Sequence, residues 1–101
     1  MSLTFDPERN EINALFDFAG DLRGKRVFEI GAGDGRLTWR YAPFAAEVVG
    51  IDPNADRVAR AQQDIPEDLR HRVKILDTTL EAYRRDIQAP LFDVSLMAWS
   101  L

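Results

Sequence analysis

Three glycines alternate with other residues directly after a short apolar segment of this sequence. The segment from Glu29 to Gly35, which reads EIGAGDG, joins a predicted strand to a predicted helix. Glycines at such a junction let the backbone turn sharply and let a ligand approach it, while the following helix presents unpaired N–H groups. Asp52 ends the next predicted strand, 21 residues after Gly31, and an acid there can accept hydrogen bonds from ribose hydroxyls. The pattern predicts a binding site for a nucleotide-like ligand.

The spacing of the glycines separates two classes of ligand. The dinucleotide-binding fingerprint G-x-G-x-x-G would place its third glycine at Arg36, whereas this chain has it one residue earlier, at Gly35. The acids Glu29 and Asp34 would also repel a pyrophosphate, but they would attract a ligand that carries an ammonium and a sulfonium group. The segment therefore favours a cationic nucleoside.

Four strand-like segments alternate with helical segments along the chain. The predicted strands are Val27–Ile30, Val48–Ile51, Val73–Leu76 and Phe92–Ala98. Helices are predicted near residues 35–42, 55–63 and 80–86, with a further one that begins at Asp6 and ends before Gly20. This alternation is typical of βαβ units, which build a parallel sheet with helices on both faces. The predicted fold class is α/β, with a doubly wound, mostly parallel, Rossmann-like sheet.

The sequence resembles the class I S-adenosylmethionine-dependent methyltransferases. The resemblance is carried by Glu29-x-Gly31-x-Gly33-x-Gly35, by Asp52 and by the Phe92–Val94 opening of the fourth strand. It covers roughly residues 10–101 and implies the N-terminal, cofactor-binding half of the family fold, with about four strands in the order 3-2-1-4. The implied cofactor is S-adenosyl-L-methionine.

The resemblance also implies roles for individual residues. Glu29 would lie near the methionine amino group, and Asp52 would bind the ribose hydroxyls. The turn would contact the methionine and ribose portion through Gly31, Ala32, Gly33 and Gly35. Backbone groups near Met97 would complete the methionine end. The family's adenine-binding acid falls at Thr79, followed by Leu80; because Asp77 is the nearest true carboxylate, either Asp77 or Thr79 could take that place.

Composition narrows the other possibilities. The 101 residues predict a single domain, and 13 basic against 17 acidic residues give a formal charge of −4, which argues against a nucleic-acid partner. The absence of cysteine excludes disulfide scaffolds, thiolate metal sites and cysteine nucleophiles, and no metal site is predicted. Acidic residues among the first 20 do not fit a signal peptide, and no apolar run reaches the ~20 residues that cross a membrane. A cytoplasmic location is expected.

The methyl acceptor is predicted to be a small molecule. The absence of cysteine argues against methylation of a cytosine ring carbon, which resembles a cysteine-nucleophile chemistry. The Asp/Asn-Pro-Pro-Tyr/Phe signature of amino-methylating DNA enzymes is also absent, since the segment from Met97 to Ser100 stands in its place. No catalytic residue is assigned. His71 precedes the third strand and is expected at the amino edge of the sheet, opposite the ligand edge.

Alternatives stay open for the extent of the domain and for its function. The apolar fourth strand leads directly to Leu101, which predicts a truncated domain over residues 1–101, or one completed by another chain. A homo-oligomer through the exposed edge of that strand is one such arrangement. The alternative functions are a fragment of an NAD-binding oxidoreductase, for which Arg36 is the main difficulty, and a non-catalytic binding or assembly module.

Overall fold

A computed structural model describes residues 2–5, 22–86 and 92–98 of the chain. Within these residues the strands are β1 (Ser2–Phe5), β2 (Arg26–Ile30), β3 (Glu47–Asp52), β4 (Val73–Asp77) and β5 (Val94–Ala98). The helices are α1 (Thr38–Tyr41), α2 (Ala55–Asp64) and α3 (Leu80–Asp86), with 3₁₀ turns at Ala42–Phe44 and Glu67–Leu69. The helix predicted to begin at Asp6 lies outside the described residues.

The strands form one parallel sheet in the order β1-β5-β2-β3-β4. The four predicted strands therefore have the predicted order 3-2-1-4, and the α/β fold class is confirmed. Glu29 of β2 lies between Gly50 of β3 and Leu96 of β5, and Asp52 is paired with Asp77 of β4. Because all strands are parallel, their carboxyl ends meet at one edge, as a ligand site in such a sheet requires.

The prediction that the fourth strand is an exposed edge is wrong. The backbone of β1 pairs with β5 in parallel, from Ser2 opposite Ser95 to Phe5 opposite Ala98. The edge of β5, through which a second copy was expected to pair, is therefore covered by β1 of the same chain. This strand was not predicted, because its partner in the sheet is more than 90 residues away and nothing local marks the pairing.

Apolar side chains cover both faces of the sheet, as the alternation of strands and helices predicts. One face is buried beneath α1 and α2, and its core includes Val27, Val48 and Leu96. On the opposite face Phe28 packs against Tyr83 of α3, with ring centroids 5.0 Å apart. Residues of successive positions alternate between the faces, which places Glu29 on the same face as Val27.

The helix after the glycine turn is shorter than the predicted segment 35–42. The α-helix covers only Thr38–Tyr41 and continues as the 3₁₀ turn Ala42–Phe44. Pro43 lies inside that 3₁₀ turn. Proline is tolerated in the first turn of a helical segment because the N–H it lacks has no helical partner there. The short α1 carries two buried hydroxyl side chains, Thr38 and Tyr41.

Candidate functional site

The glycine turn from Gly31 to Gly35 leaves the carboxyl end of β2 in an unusual backbone conformation. Gly31, Gly33 and Gly35 have φ angles of 82°, 58° and 86°, a region that favours glycine over other residues. A Cβ at Gly35 would also lie 2.3 Å from the indole ring of Trp39, so the ring occupies the space that a side chain would need. The sequence requirement for glycine in this turn is therefore both conformational and steric.

The turn is bound to the end of the neighbouring strand. The backbone N–H groups of Gly31 and Ala32 donate to the carbonyl oxygen of Ile51, at 2.9 and 3.1 Å. Gly50 permits this close approach, since a Cβ there would be 2.7 Å from the Cβ of Ala32 and 2.9 Å from Cδ1 of Ile75. The first half of the predicted ligand loop is thus held in place by β3.

Asp52 lies beside the turn, as its spacing from Gly31 predicts. Its Oδ2 accepts a hydrogen bond from the N–H of Gly33 at 3.0 Å, and its Oδ1 accepts one from the N–H of Asn54 at 2.8 Å. The residue is only 7% exposed. A carboxylate has about four acceptor positions, so two remain for a diol after these two backbone bonds.

Arg57 is a neighbour of the turn that the sequence analysis did not single out. Its Cδ and Nη1 lie 3.8 Å from the position that a Cβ of Gly33 would take, where Asp52 Oδ2 is 3.9 Å away. Arg57 stands in the first turn of α2, and its N–H is capped by the side chain of Asn54 at 3.1 Å. The sequence does hold a signal for Arg57, because it stands three residues after the helix cap Asn54, which closely follows Asp52.

Glu29 is entirely buried, with 0% exposure. Its Oε1 accepts hydrogen bonds from Thr38 Oγ1, at 2.7 Å, and from the hydroxyl of Tyr41. Its Oε2 is buried as well and has no hydrogen-bond partner among the described residues. Glu29 is a predicted site residue, whereas its two hydroxyl donors were not predicted, because Thr38 and Tyr41 are ordinary residues for a buried helix face.

Burial sets the protonation of this cluster. The loss of solvation raises the pKa of Glu29 above its ordinary value of 4.5; the bonds from Tyr41 and Thr38 lower it in part, and the charge of Asp52 adds a further rise. The pKa of Tyr41 is raised well above 10.0, first by burial and then by the neighbouring Glu29. Tyr41 therefore stays a neutral donor, and the pKa of Glu29 lies above its ordinary value when nothing cationic lies next to it.

The predicted adenine contacts lie at the same edge, after β4. The N–H of Thr78 donates to the carbonyl of Asp52 at 3.2 Å, which ties the start of this segment to the acid. The side chain of Thr79 caps α3 by accepting from the N–H of Ala82 at 3.1 Å. Asp77 is exposed at the end of β4, whereas Leu80 is half-buried against the opposite face of the sheet. The choice between Asp77 and Thr79 for the adenine remains a prediction.

Met97 lies at the carboxyl end of β5, opposite Ile30 in the register. It is 45% exposed, more than any other large apolar residue that the structure describes. It therefore lies next to the start of the glycine turn, and its place at the methionine end of the ligand stays a prediction. Trp99, which follows it, lies outside the described residues.

Two further residues with possible chemistry have structural roles. Asp34 does not cap α1, because its Oδ1 instead accepts from the N–H of Arg36 at 3.3 Å and its carboxylate pairs with the guanidinium of Arg36. His71 is exposed just before β4, at the amino edge, as expected. In residues 22–86 and 92–98 no group of three or more metal-binding side chains occurs, and no helix there is long and apolar enough to cross a membrane.

The known proteins that this chain resembles in sequence or structure include several methyltransferases. The methyltransferase-domain family matches this chain over residues 28–101. Protein arginine methyltransferase 10 of Arabidopsis thaliana superposes with a TM-score of 0.75 at 25% identity, over 91% of this chain and 26% of that one. Magnesium protoporphyrin IX methyltransferase of Synechocystis, solved with bound S-adenosylmethionine, superposes with a TM-score of 0.69 at 22% identity, over 89% of this chain and 43% of that one.

Among curated proteins the chain is similar to a tRNA-modifying enzyme. The tRNA U34 carboxymethyltransferase of Pseudomonas paraeruginosa is 54% identical over 35 residues, which are 34% of this chain and 11% of that protein. The chain thus corresponds to a small part of this relative and to less than half of the two solved structures. The prediction that a nucleic-acid partner is disfavoured gains no support from these matches, which include a tRNA-modifying enzyme and a protein arginine methyltransferase.

Proposed function

Since this chain belongs to the methyltransferase-domain family, whose class I fold and S-adenosylmethionine cofactor the sequence predicts, we propose that it binds that cofactor and serves methyl transfer to a small-molecule acceptor. The binding site is the carboxyl edge of β2, β3 and β5. The chain would supply the cofactor-binding half of the catalytic domain. The chain spans only a fraction of its relatives, and we assign no acceptor-binding residues within it.

The observation that carries the proposal is a buried carboxylate oxygen without a partner at this edge. Oε2 of Glu29 has no hydrogen bond among the described residues, and Asp52 is close enough to raise the pKa of Glu29 further. Two acids at one end of a glycine turn suit a cationic ligand and oppose a pyrophosphate. The residues therefore fit S-adenosylmethionine better than a dinucleotide, and the oxidoreductase alternative is disfavoured.

Each residue of the site has a distinct proposed task. Asp52 would accept hydrogen bonds from the ribose hydroxyls through the acceptor positions that Gly33 and Asn54 leave free. Glu29 would accept from the ammonium of the methionine portion. The glycines would let the ligand approach the backbone, and the exposed Met97 would close the methionine end. Asp77 or Thr79, both at the end of β4, would meet the adenine.

The chemistry asks the protein mainly for alignment. When bound, the cofactor would supply a sulfonium methyl group for in-line transfer to an acceptor, with the thioether S-adenosylhomocysteine as the leaving group. The residues of this chain contribute by holding the nucleoside and amino-acid ends at fixed points, which converts an encounter of two molecules into a reaction of aligned groups. The apolar side chains around the turn, such as Ala32 and Met97, would help to exclude water. No catalytic residue is assigned on this half.

The net charge supports a small-molecule acceptor, because a −4 chain does not attract a polyanion. The 35-residue similarity to a tRNA-modifying enzyme favours tRNA as a second candidate. Transfer of a tritiated methyl group from S-adenosylmethionine distinguishes them: counts in acid-precipitable tRNA would replace our proposal, while counts in a soluble product separated from S-adenosylmethionine by chromatography would support it. A cytoplasmic location stays a prediction.

Thermal denaturation with added ligands tests the cofactor. We expect S-adenosylmethionine and S-adenosylhomocysteine to raise the melting temperature, since a ligand that binds only the folded state stabilises it. NAD at the same concentration should have no effect. Stabilisation by NAD alone would refute the proposal, and cofactor binding without methyl transfer to either fraction would favour the non-catalytic binding module.

A further inference from the structure

The carboxyl group of Glu29 is held asymmetrically. Its Oε1 accepts hydrogen bonds from both Thr38 and Tyr41, while Oε2 has none among the described residues. All three residues are at most 1% exposed. A buried carboxyl oxygen without a donor costs free energy, so a fold that leaves one unpaired has a use for it or protonates it.

Both donors come from the same short helix, α1. They lie three residues apart, which places them on one helix face, directed at the strand that carries Glu29. The glycine turn lies between Glu29 and α1 in the chain, so the two bonds join its two ends, across sequence separations of 9 and 12 residues. The hydroxyls therefore fix the carboxyl group and the base of the turn together.

We propose that Thr38 and Tyr41 are positioning residues, which bind one oxygen of Glu29 so that the other is directed to the ammonium group of the cofactor. This inference rests on the proposed function. With two donors on Oε1 the carboxyl group cannot rotate freely, and Oε2 keeps one orientation. An ammonium group that donates to it would supply the missing bond, and a charge-assisted bond is the stronger kind.

A purely structural role for the two hydroxyls makes a different prediction. Hydroxyls that only fill the core would affect all ligands of the site alike. Hydroxyls that direct Glu29 would affect only a ligand with an ammonium group. S-adenosylhomocysteine carries that group, whereas 5′-methylthioadenosine has the same nucleoside without the amino-acid portion. The difference in affinity between these two ligands therefore isolates the contact at Glu29.

The experiment is isothermal titration of both ligands with the wild-type chain and with Tyr41→Phe, Thr38→Val and Thr38→Ser. We expect Tyr41→Phe and Thr38→Val to weaken S-adenosylhomocysteine about tenfold, as for a displaced bond to a charged group. Binding of 5′-methylthioadenosine should change less than about twofold, which also shows that the site is folded. Thr38→Ser keeps the hydroxyl and should restore wild-type affinity.

Tyr83→Phe is the matched control, because it removes a tyrosine hydroxyl from a residue that is 4% exposed on the opposite face of the sheet. It should leave both affinities unchanged. Equal losses for the two ligands, or no loss, in Tyr41→Phe and Thr38→Val would overturn the positioning role. If Tyr41→Phe does not fold, the pair Thr38→Val and Thr38→Ser decides. A wild-type chain that binds neither ligand refutes the proposed function itself, and this inference with it.

Discussion

Binding of S-adenosylhomocysteine should release a proton from Glu29. Burial raises the pKa of this carboxyl above 4.5, and the charge of Asp52, an acid, adds a further rise. In the empty protein the protonated form is therefore favoured above pH 4.5, up to the raised pKa. A ligand ammonium favours the ionised form, so the proton must leave when the ligand binds.

The magnitude follows from the number of groups involved. One carboxyl group that must lose one proton makes the affinity rise by at most about tenfold per pH unit below the raised pKa, and then level off. Titration calorimetry from about pH 5 to about pH 9, in two buffers with different ionisation enthalpies, measures both this slope and the proton count. Glu29→Gln cannot ionise, so its affinity should be low and independent of pH.

The same pKa shift has the opposite consequence for the stability of the empty protein. Between 4.5 and the raised pKa, the folded state binds more protons at Glu29 than the unfolded state does. The free energy of unfolding therefore falls as the pH rises through that window, by up to about 1.4 kcal/mol per pH unit. Glu29→Gln should lack this fall. If Glu29→Gln keeps the wild-type slope and proton release, another group is responsible and the reasoning is refuted.

Three further substitutions test the geometry of the turn. Gly50→Ala would place a Cβ 2.7 Å from the Cβ of Ala32, and the overpacking should cost about 1–3 kcal/mol in the free energy of unfolding, measured with urea. Gly35→Ala combines a φ of +86° with a clash against Trp39, so Trp39→Ala should rescue the steric part in the double variant but not the conformational part; a full rescue would contradict the conformational requirement. Asp52→Ala should weaken 5′-methylthioadenosine by about 1–3 kcal/mol in calorimetry, because the lost contacts belong to the nucleoside; an unchanged affinity would remove Asp52 from the site.

The predicted sheet and the placement of Asp52 beside the glycine turn are confirmed, because both depend on local features of the sequence. Glycines at 31, 33 and 35 and the acid at 52 report directly on a turn and a strand end, since few other residues suit those conformations. The order of strands is the one that the family resemblance implies, and βαβ connections between parallel strands are compatible with it. Family and cofactor class, predicted from these same residues, agree with the family match over residues 28–101.

The features that sequence reasoning missed depend on contacts between distant residues. Nothing about Thr38 or Tyr41 in the sequence distinguishes a hydroxyl that binds Glu29 from one that binds a helix carbonyl. The strand β1 is short, and its partner β5 is more than 90 residues away, so its pairing has no local signal. The length of α1 is decided by the 3₁₀ turn around Pro43, and the helical periodicity of residues 35–42 does not reveal that change.

The two acids of the site differ in the hydrogen bonds that their carboxyl oxygens accept in the empty protein. Asp52 has a backbone N–H on each oxygen, so ribose hydroxyls would add bonds to a carboxylate that is already stabilised. Glu29 has donors on one oxygen only and lies in a fully buried place that penalises its charge. The amino-acid end should therefore require a proton to leave below the raised pKa of Glu29. This division predicts that the pH dependence of binding resides in the part of the ligand that 5′-methylthioadenosine lacks.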